Sequence, residues 1–234
     1  MGHCLFLRKG EVHTAPMAYK ANFADNTWEQ IIDACHKNKV PITWAVGNSK
    51  TMLIDGTEYQ IDIIGKNHDD YADGSGKAPL TFQLHDCYNA YISVNDPSTN
   101  VGGWTSCAMR TTHLPAILAK MPTEVQSGIR EVNKLTSAGN QSATINTTAD
   151  KLFPLSEIEI FGEVFYSWSG EGTQYTYYRT GGSKVKKLND RAFQWWERSP
   201  CKQDSIRFCE LTSVGTADIN TTSGKHGASF GFCF

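Results

Sequence analysis

Apolar and polar positions along this chain follow two different periods, and the change between them divides it. In TWEQIIDACHKNK, Thr27 can cap a helix while Gln30 returns a bond to the cap, and Ile31, Ala34 and Cys35 then share one face. This predicts an amphipathic helix. In TMLIDGTEYQIDIIG, Asp55 and Gly56 separate two runs of strand formers, and both tolerate the positive φ of a tight turn. Residues 52–54 and 59–63 are therefore predicted to pair as a hairpin, with a further strand at 80–84. Residues 109–120 read as a helix that Pro115 interrupts or restarts. Residues 123–134 read as another, with Val125, Ile129 and Val132 at i, i+4 and i+7 behind Pro122.

Beyond Leu155 the helical period disappears. SEIEIFGEVFYS alternates like a strand, and the remainder is rich in Gly, Ser, Thr and aromatic residues. Phe230, Phe232 and Phe234 alternate as one buried strand face, while the adjacent Trp195 and Trp196 are expected to point one inward and one outward. The predicted class is α+β, with helices in the first half and short antiparallel strands plus long ordered loops in the second. Residues 1–24 carry no clear period and are expected to form a leader or attachment arm ahead of a domain spanning 25–234.

Composition excludes several functions. With 40% hydrophobic and 20% charged residues the chain fits a soluble globular protein, and its net charge of −2 offers no basic field for nucleic acid. No apolar run approaches a membrane span, no signal-peptide pattern opens the chain, and Phe6 breaks the myristoylation motif. The seven cysteines are an odd number and read mostly as small buried apolar residues. A Cys209–Cys233 disulfide is the alternative, because spacing does not set connectivity.

Motifs for catalysis or metals are incomplete. In NHDDYADGSG, Asp69, Tyr71 and Asp73 fall loosely at calcium-loop spacings, but Leu80 stands where the closing Glu belongs, so a turn whose Asp side chains bond their own backbone is favoured. GSGK fails as a phosphate cradle, since Tyr71 replaces the first glycine and Ala78 the magnesium-binding hydroxyl. His85 and Cys87 share a strand face in LHDCY, yet no third group for a nucleophile is evident. No cofactor and no metal are expected. Arg198 reads as a buried partner for a carboxylate or for backbone carbonyls.

WWERSP, Phe208-Cys209, the spaced Ser213, Gly215 and Ala217, and the closing GASFGFCF together resemble the C-terminal region of variable proteins diversified by retroelements. The blocks TEYQIDIIGKNHDDYADGSGKAPLTFQ, NVGGWTSCAMR, VNKLTSAGNQ, INTTADKLFPLSEIEIFG and GEGTQYTYY are similar to those of the phage and prophage group, and coverage runs over residues 27–234. The resemblance implies a C-type-lectin-like fold of the formylglycine-generating-enzyme type and a non-enzymatic binding protein. Its segment at about 198–227 would be rewritten at adenines while the backbone stays fixed.

Mutating both adenines of an AAC or AAT codon reaches Asn, Asp, Ser, Thr, Ile, Val, Arg, His and Gly, but never Lys, Gln or Glu. Asp204, Ser205, Ile206 and Arg207 fit this set, as do Thr212, Val214 and Thr216, then Asp218, Ile219, Asn220 and Thr221, and finally His226. Glu210 and Lys225 also stand on the expected ligand-binding surface but fall outside it, as do Lys202 and Gln203. Arg207, Ile219 and His226 are the expected energetic anchors. Gly215, Ala217, Gly227, Phe208, Cys209 and Phe230 are expected to hold the backbone.

The implied partner is a protein or glycan receptor on a target cell, met by a phage-tail or cell-surface display component, with a homo-oligomer giving avidity. Two alternatives stand beside it. One is an oxidase of the formylglycine-generating type, for which Cys201 and Cys209 are the candidate cysteines, and the other is a structural tail or capsid-decoration protein.

Overall fold

A computed structural model describes residues 17–234. Residues 1–16, most of the expected leader, lie outside the described residues. The end of that segment is built in: Phe23, only 1% exposed, packs among Trp28, Trp44 and Phe82. Helix α1 (Trp28–His36) starts with the expected capping box, Gln30 N donating to Thr27 Oγ1 at 3.2 Å and Thr27 N to Gln30 Oε1 at 2.8 Å. Its Ile31, Ala34 and Cys35 are buried as the spacing requires. Strands β1 (Ser49–Ile54) and β2 (Thr57–Lys66) form the expected hairpin, with φ of 51° at Asp55 and 76° at Gly56. Both values are positive, as a type I′ turn needs. Strand β3 (Leu80–Leu84) follows as expected.

Helix α2 (Gly103–Ser106) leads to a π-helical segment, Met109–His113, and then α3 (Leu114–Leu118). Pro115 restarts the helix, since its missing N–H costs nothing in a first turn. Helix α4 (Thr123–Gly128) is shorter than expected. Gly128 lies so close to α1 that a Cβ there would sit 2.8 Å from the Ile32 side chain, Ile129 is extended, and Arg130 N donates to Cys233 O at 3.0 Å. Val132 instead opens β4 (Val132–Ser137). Val125, Ile129 and Val132 are all buried, so the apolar spacing is divided between a helix and a strand.

Strands β5 (Ile145–Asp150) and β6 (Phe153–Pro154) precede a second departure. SEIEIF is not a strand but helix α5 (Glu157–Phe161). Ser156 caps it, its hydroxyl accepting from Glu159 N at 3.3 Å while Glu159 Oε2 accepts from Ser156 N at 3.0 Å, and Gly162 ends it at φ 78°. A short helix α6 (Thr176–Arg179) follows in the half expected to lack helices. The chain then runs through β7 (Lys186–Leu188), β8 (Arg191–Phe193), β9 (Trp195–Pro200), β10 (Arg207–Leu211), β11 (Ala217–Thr221) and β12 (Phe230–Cys233).

The class is α+β. A five-stranded sheet has the order β1-β2-β3-β12-β6, a three-stranded sheet the order β11-β10-β9, and β4-β5 and β7-β8 are hairpins. Phe230, Phe232 and Phe234 are fully buried in the larger of two apolar clusters. Trp195 and Trp196 are both fully buried, against the expectation that one faces outward. Strand β9 passes between the two clusters, so Trp195 fills the smaller and Trp196 the larger. Each indole N–H is satisfied by a carbonyl, Lys184 O at 3.0 Å and Ile92 O at 2.8 Å.

Candidate functional site

The three-stranded sheet grades from buried to exposed across its width. Every residue of β9 is buried, β10 is buried from Phe208 onward, and every residue of β11 is half-buried. Strands β10 and β11 pair antiparallel with Arg207 opposite Thr221, Cys209 opposite Ile219 and Leu211 opposite Ala217. The turn between them closes with Thr212 and Thr216 hydroxyls 2.7 Å apart and Gly215 at φ 79°. A positive φ there needs glycine, as expected of a residue that holds the backbone.

Most of the expected ligand-binding residues lie on this hairpin and the loop before it. Asp204, Ser205 and Arg207 are half-buried, Ile206 is 44% exposed, and Val214 at the turn is 73% exposed. Arg207 Nε pairs with Asp204 Oδ2, while Asp204 Oδ1 accepts from Ile206 N and Arg207 N at 2.9 Å. Thr212, Asp218, Ile219, Asn220 and Thr221 are half-buried, and Thr216 and Lys225 are exposed. Two expected surface residues are instead buried. Glu210 and His226 are 3% and 7% exposed and pair with each other through Oε2 and Nδ1, and the His226 ring stacks on Trp196 at 4.6 Å. His226 is tied at both backbone groups to Ile92, which turns its side chain under the hairpin. Asn220 Nδ2, 3.3 Å from Glu210 Oε1, links this pair to the β11 edge.

The loop at 201–207 is held by Asn100, which lies in the NVGG stretch (100–103). Asn100, fully buried, donates from Nδ2 to Asp204 O and Arg207 O at 2.9 Å and to Cys201 O at 3.3 Å. Its own N–H donates to Ser205 O at 2.7 Å, and its Oδ1 accepts from Asn140 N at 2.8 Å. All of these partners are backbone groups. Gly139 makes the approach feasible, since a Cβ there would lie 1.8 Å from Asn100 O. The paired glycine-containing blocks NVGG and SAGN were the available signal, but only the fold shows that they meet.

Under the sheet lies a buried charged chain. Arg198 grips Glu159 in a fork, Nη1 to Oε2 at 2.5 Å and Nη2 to Oε1 at 2.8 Å, and also donates to Pro154 O and Thr136 Oγ1. Arg198 is therefore the structural carboxylate partner expected. Lys134 Nζ bridges Glu159 Oε1 at 2.7 Å and Asp69 Oδ1 at 2.8 Å, with all four side chains at most 3% exposed. Burial pushes Asp69 upward, but Lys134, His68 and the Thr81 hydroxyl together outweigh it and leave the carboxyl at about 2. Asp69 thus belongs to this chain and not to a calcium loop, while Asp73 accepts from Ser75 N at 2.9 Å and meets Arg130 at 2.6 Å. Glu171, buried beside Ser137 N and Ser199 Oγ, is pushed by burial to about 7.

His85 and Cys87 do line one cleft, and Asp62 Oδ2 bonds His85 Nδ1 at 2.6 Å. Burial drives the Cys87 thiol to about 12, so it carries no thiolate for a nucleophile's work. Cys209 and Cys233 are both free, one opposite Ile219 and the other opposite Thr81, so the alternative disulfide is not formed. Cys201 is buried as well and accepts from Gln203 N at its sulfur.

These features define a class: an α+β protein whose buried polar layer supports a sheet that presents its outer strand to solvent. The chain belongs to the family described as a domain of unknown function, DUF6273, whose model matches residues 81–229. The matched region takes in the hairpin, the Asn100 loop and most of the charged layer. No curated protein and no solved structure matches the chain. Among the described residues no helix is long and apolar enough to cross a membrane.

Proposed function

We propose that this chain is a non-enzymatic ligand-binding protein that presents the loop at 201–207 and the β10–β11 hairpin to a partner. One observation carries the reading: the loop is anchored through its backbone carbonyls by Asn100, so the side chains of Ser205 and Ile206 can change without releasing it. The exposure gradient from β9 to β11 supports the same division between frame and display. Exposed Ile206 and Val214 among hydroxyl and carboxylate neighbours make a mixed surface of the kind that binds proteins or glycans. In this reading the chain is a variable protein of a diversity-generating retroelement with a C-type-lectin-like fold. It is carried on a phage tail or cell surface and acts as several copies together. Arg207 and Ile219 serve as anchors, and His226 and Glu210 form the floor beneath them.

The locus supplies the test. Copies sequenced from one population are expected to differ at adenine positions between Lys202 and His226, beside a reverse transcriptase and a near-identical template repeat. Differences spread evenly along the chain overturn the proposal.

A further inference from the structure

Beneath the β10–β11 hairpin lies a group of side chains that ligand display does not use. Glu157 opens α5, Glu197 lies mid-way along β9, and Cys209 lies in β10. Each offers one atom, two carboxylate oxygens and a sulfur, and these atoms all lie within 4.8 Å of one another. All three residues are completely buried.

Glu197 is the anomaly in this layer. Neither of its carboxylate oxygens has a hydrogen-bond partner, although both are shut away from solvent. Its acidic neighbours are all satisfied: Glu159 by Arg198 and Lys134, Glu171 by Ser137 N and Ser199, and Glu157 by the amides of Phe165, Tyr166 and Ser167 and the Ser167 hydroxyl. Buried polar atoms in native proteins are almost always paired, and a carboxyl without a partner costs several kcal/mol. An apolar residue of similar size would fill this place at less cost.

We propose that Glu157, Glu197 and Cys209 form a structural site for a divalent transition-metal cation of the zinc class. The donor set selects the metal, because a sulfur ligand disfavours calcium and magnesium while carboxylate and thiolate together suit zinc. Glu157 is pre-set for the role, its orientation fixed by the 165–167 amides as metal ligands are fixed by outer hydrogen bonds. Glu197 supplies an oxygen with no competing hydrogen bond. Metal ligands bind in their deprotonated forms, so any proton on Cys209 or Glu197 leaves for solvent as the cation enters. The bound ion would tie α5, β9 and β10 together under the displayed hairpin.

The test uses the full chain and zinc itself, and needs no receptor. The protein is unfolded with a chelator, refolded with or without zinc or cobalt, desalted and measured for metal by mass spectrometry. The expected result is about one equivalent of zinc per chain with a higher Tm, and a sulfur-to-cobalt charge-transfer band in the cobalt form. Glu197→Gln and Cys209→Ser should each weaken zinc binding by more than the ~10- to 100-fold that follows loss of an outer-shell partner. Cys209→Ser should also abolish the band. Because either variant can fail to fold, the wild-type stoichiometry and cobalt band decide by themselves. Wild-type protein that refolds to the same Tm without retaining zinc overturns the proposal. So does metal retained in full by both folded variants, since it then binds elsewhere.

Discussion

Strands β9 and β11 flank the same central strand, yet their side chains are used in opposite ways. In β9 every residue is buried, and two of them reach elements far away in the chain: Trp196 to Ile92, and Arg198 to Glu159, Thr136 and Pro154. In β11 every residue is half-buried, and its polar groups bond locally, Asp218 accepting from Ile219 N and Asn220 from Thr221 N. The main chain places β11, through its register with β10. The side chains place β9. Stability therefore depends on residue identity in one strand and on backbone pairing in the other, and a surface of the second kind can be rewritten.

The sharpest way to break this comparison is at Arg198. Arg198→Met leaves Glu159 buried with Lys134 alone and should cost about 3–5 kcal/mol, read as a fall in the urea midpoint. A loss below about 1 kcal/mol would mean that β9 is no more demanding than a surface strand. Asn100→Ala should come next, at about 2–3 kcal/mol, because buried carbonyls of the 201–207 loop lose their donor. The same variant should be cleaved faster by protease within that loop.

The combined Arg207→Ala, Asp218→Ala and Ile219→Ala variant should stay within about 1 kcal/mol of wild type, since its ion pair is half-exposed and its other contacts are local. On the proposed function it should also lose binding to its partner. A folding cost matching that of Arg198→Met would place β11 in the frame and end the comparison.

The smallest effect lies away from the sheet, at Asp62 and His85. The hydrogen bond that Asp62 accepts raises His85 above the ordinary imidazole value. Burial pushes Asp62 up, but bonds from His85 and Ser49 more than offset it and leave the carboxyl low. The His85 contribution is therefore complete below about pH 6.5 and is lost as pH rises through the raised folded value. With His85 41% exposed it should amount to less than about 1 kcal/mol. Thermal melts between about pH 5 and 8 should show this decline in wild type, and His85→Asn should flatten it.

Local chemistry was legible. The Thr27–Gln30 capping box, the Asp55-Gly56 turn, the restart at Pro115 and the Phe230–Phe232–Phe234 face each depend on residues within a few positions of one another, and each forms as its spacing predicts. The S-x-x-E box of Ser156 and Glu159 was equally local. It was obscured because Glu157 and Glu159 are buried, so their alternation with Ile158 and Ile160 imitates a strand with one wet face. Of the expected binding residues, the loop and hairpin side chains lie at or near the surface, while Glu210 and His226 do not.

The amino-acid order by itself determined the α+β class, the caps and turns, and the segment in which short polar residues collect. Tertiary structure decided where each strand ended up: Gly128 against Ile32 ended α4, two apolar clusters on either side of β9 buried both tryptophans, and Ile92 drew His226 beneath the hairpin onto Trp196 and Glu210. The reason is physical. Caps and turns are settled by hydrogen bonds within a few residues, whereas burial on two faces, and a carboxyl such as Glu197 facing a thiol, arise only when segments distant in the chain are packed together.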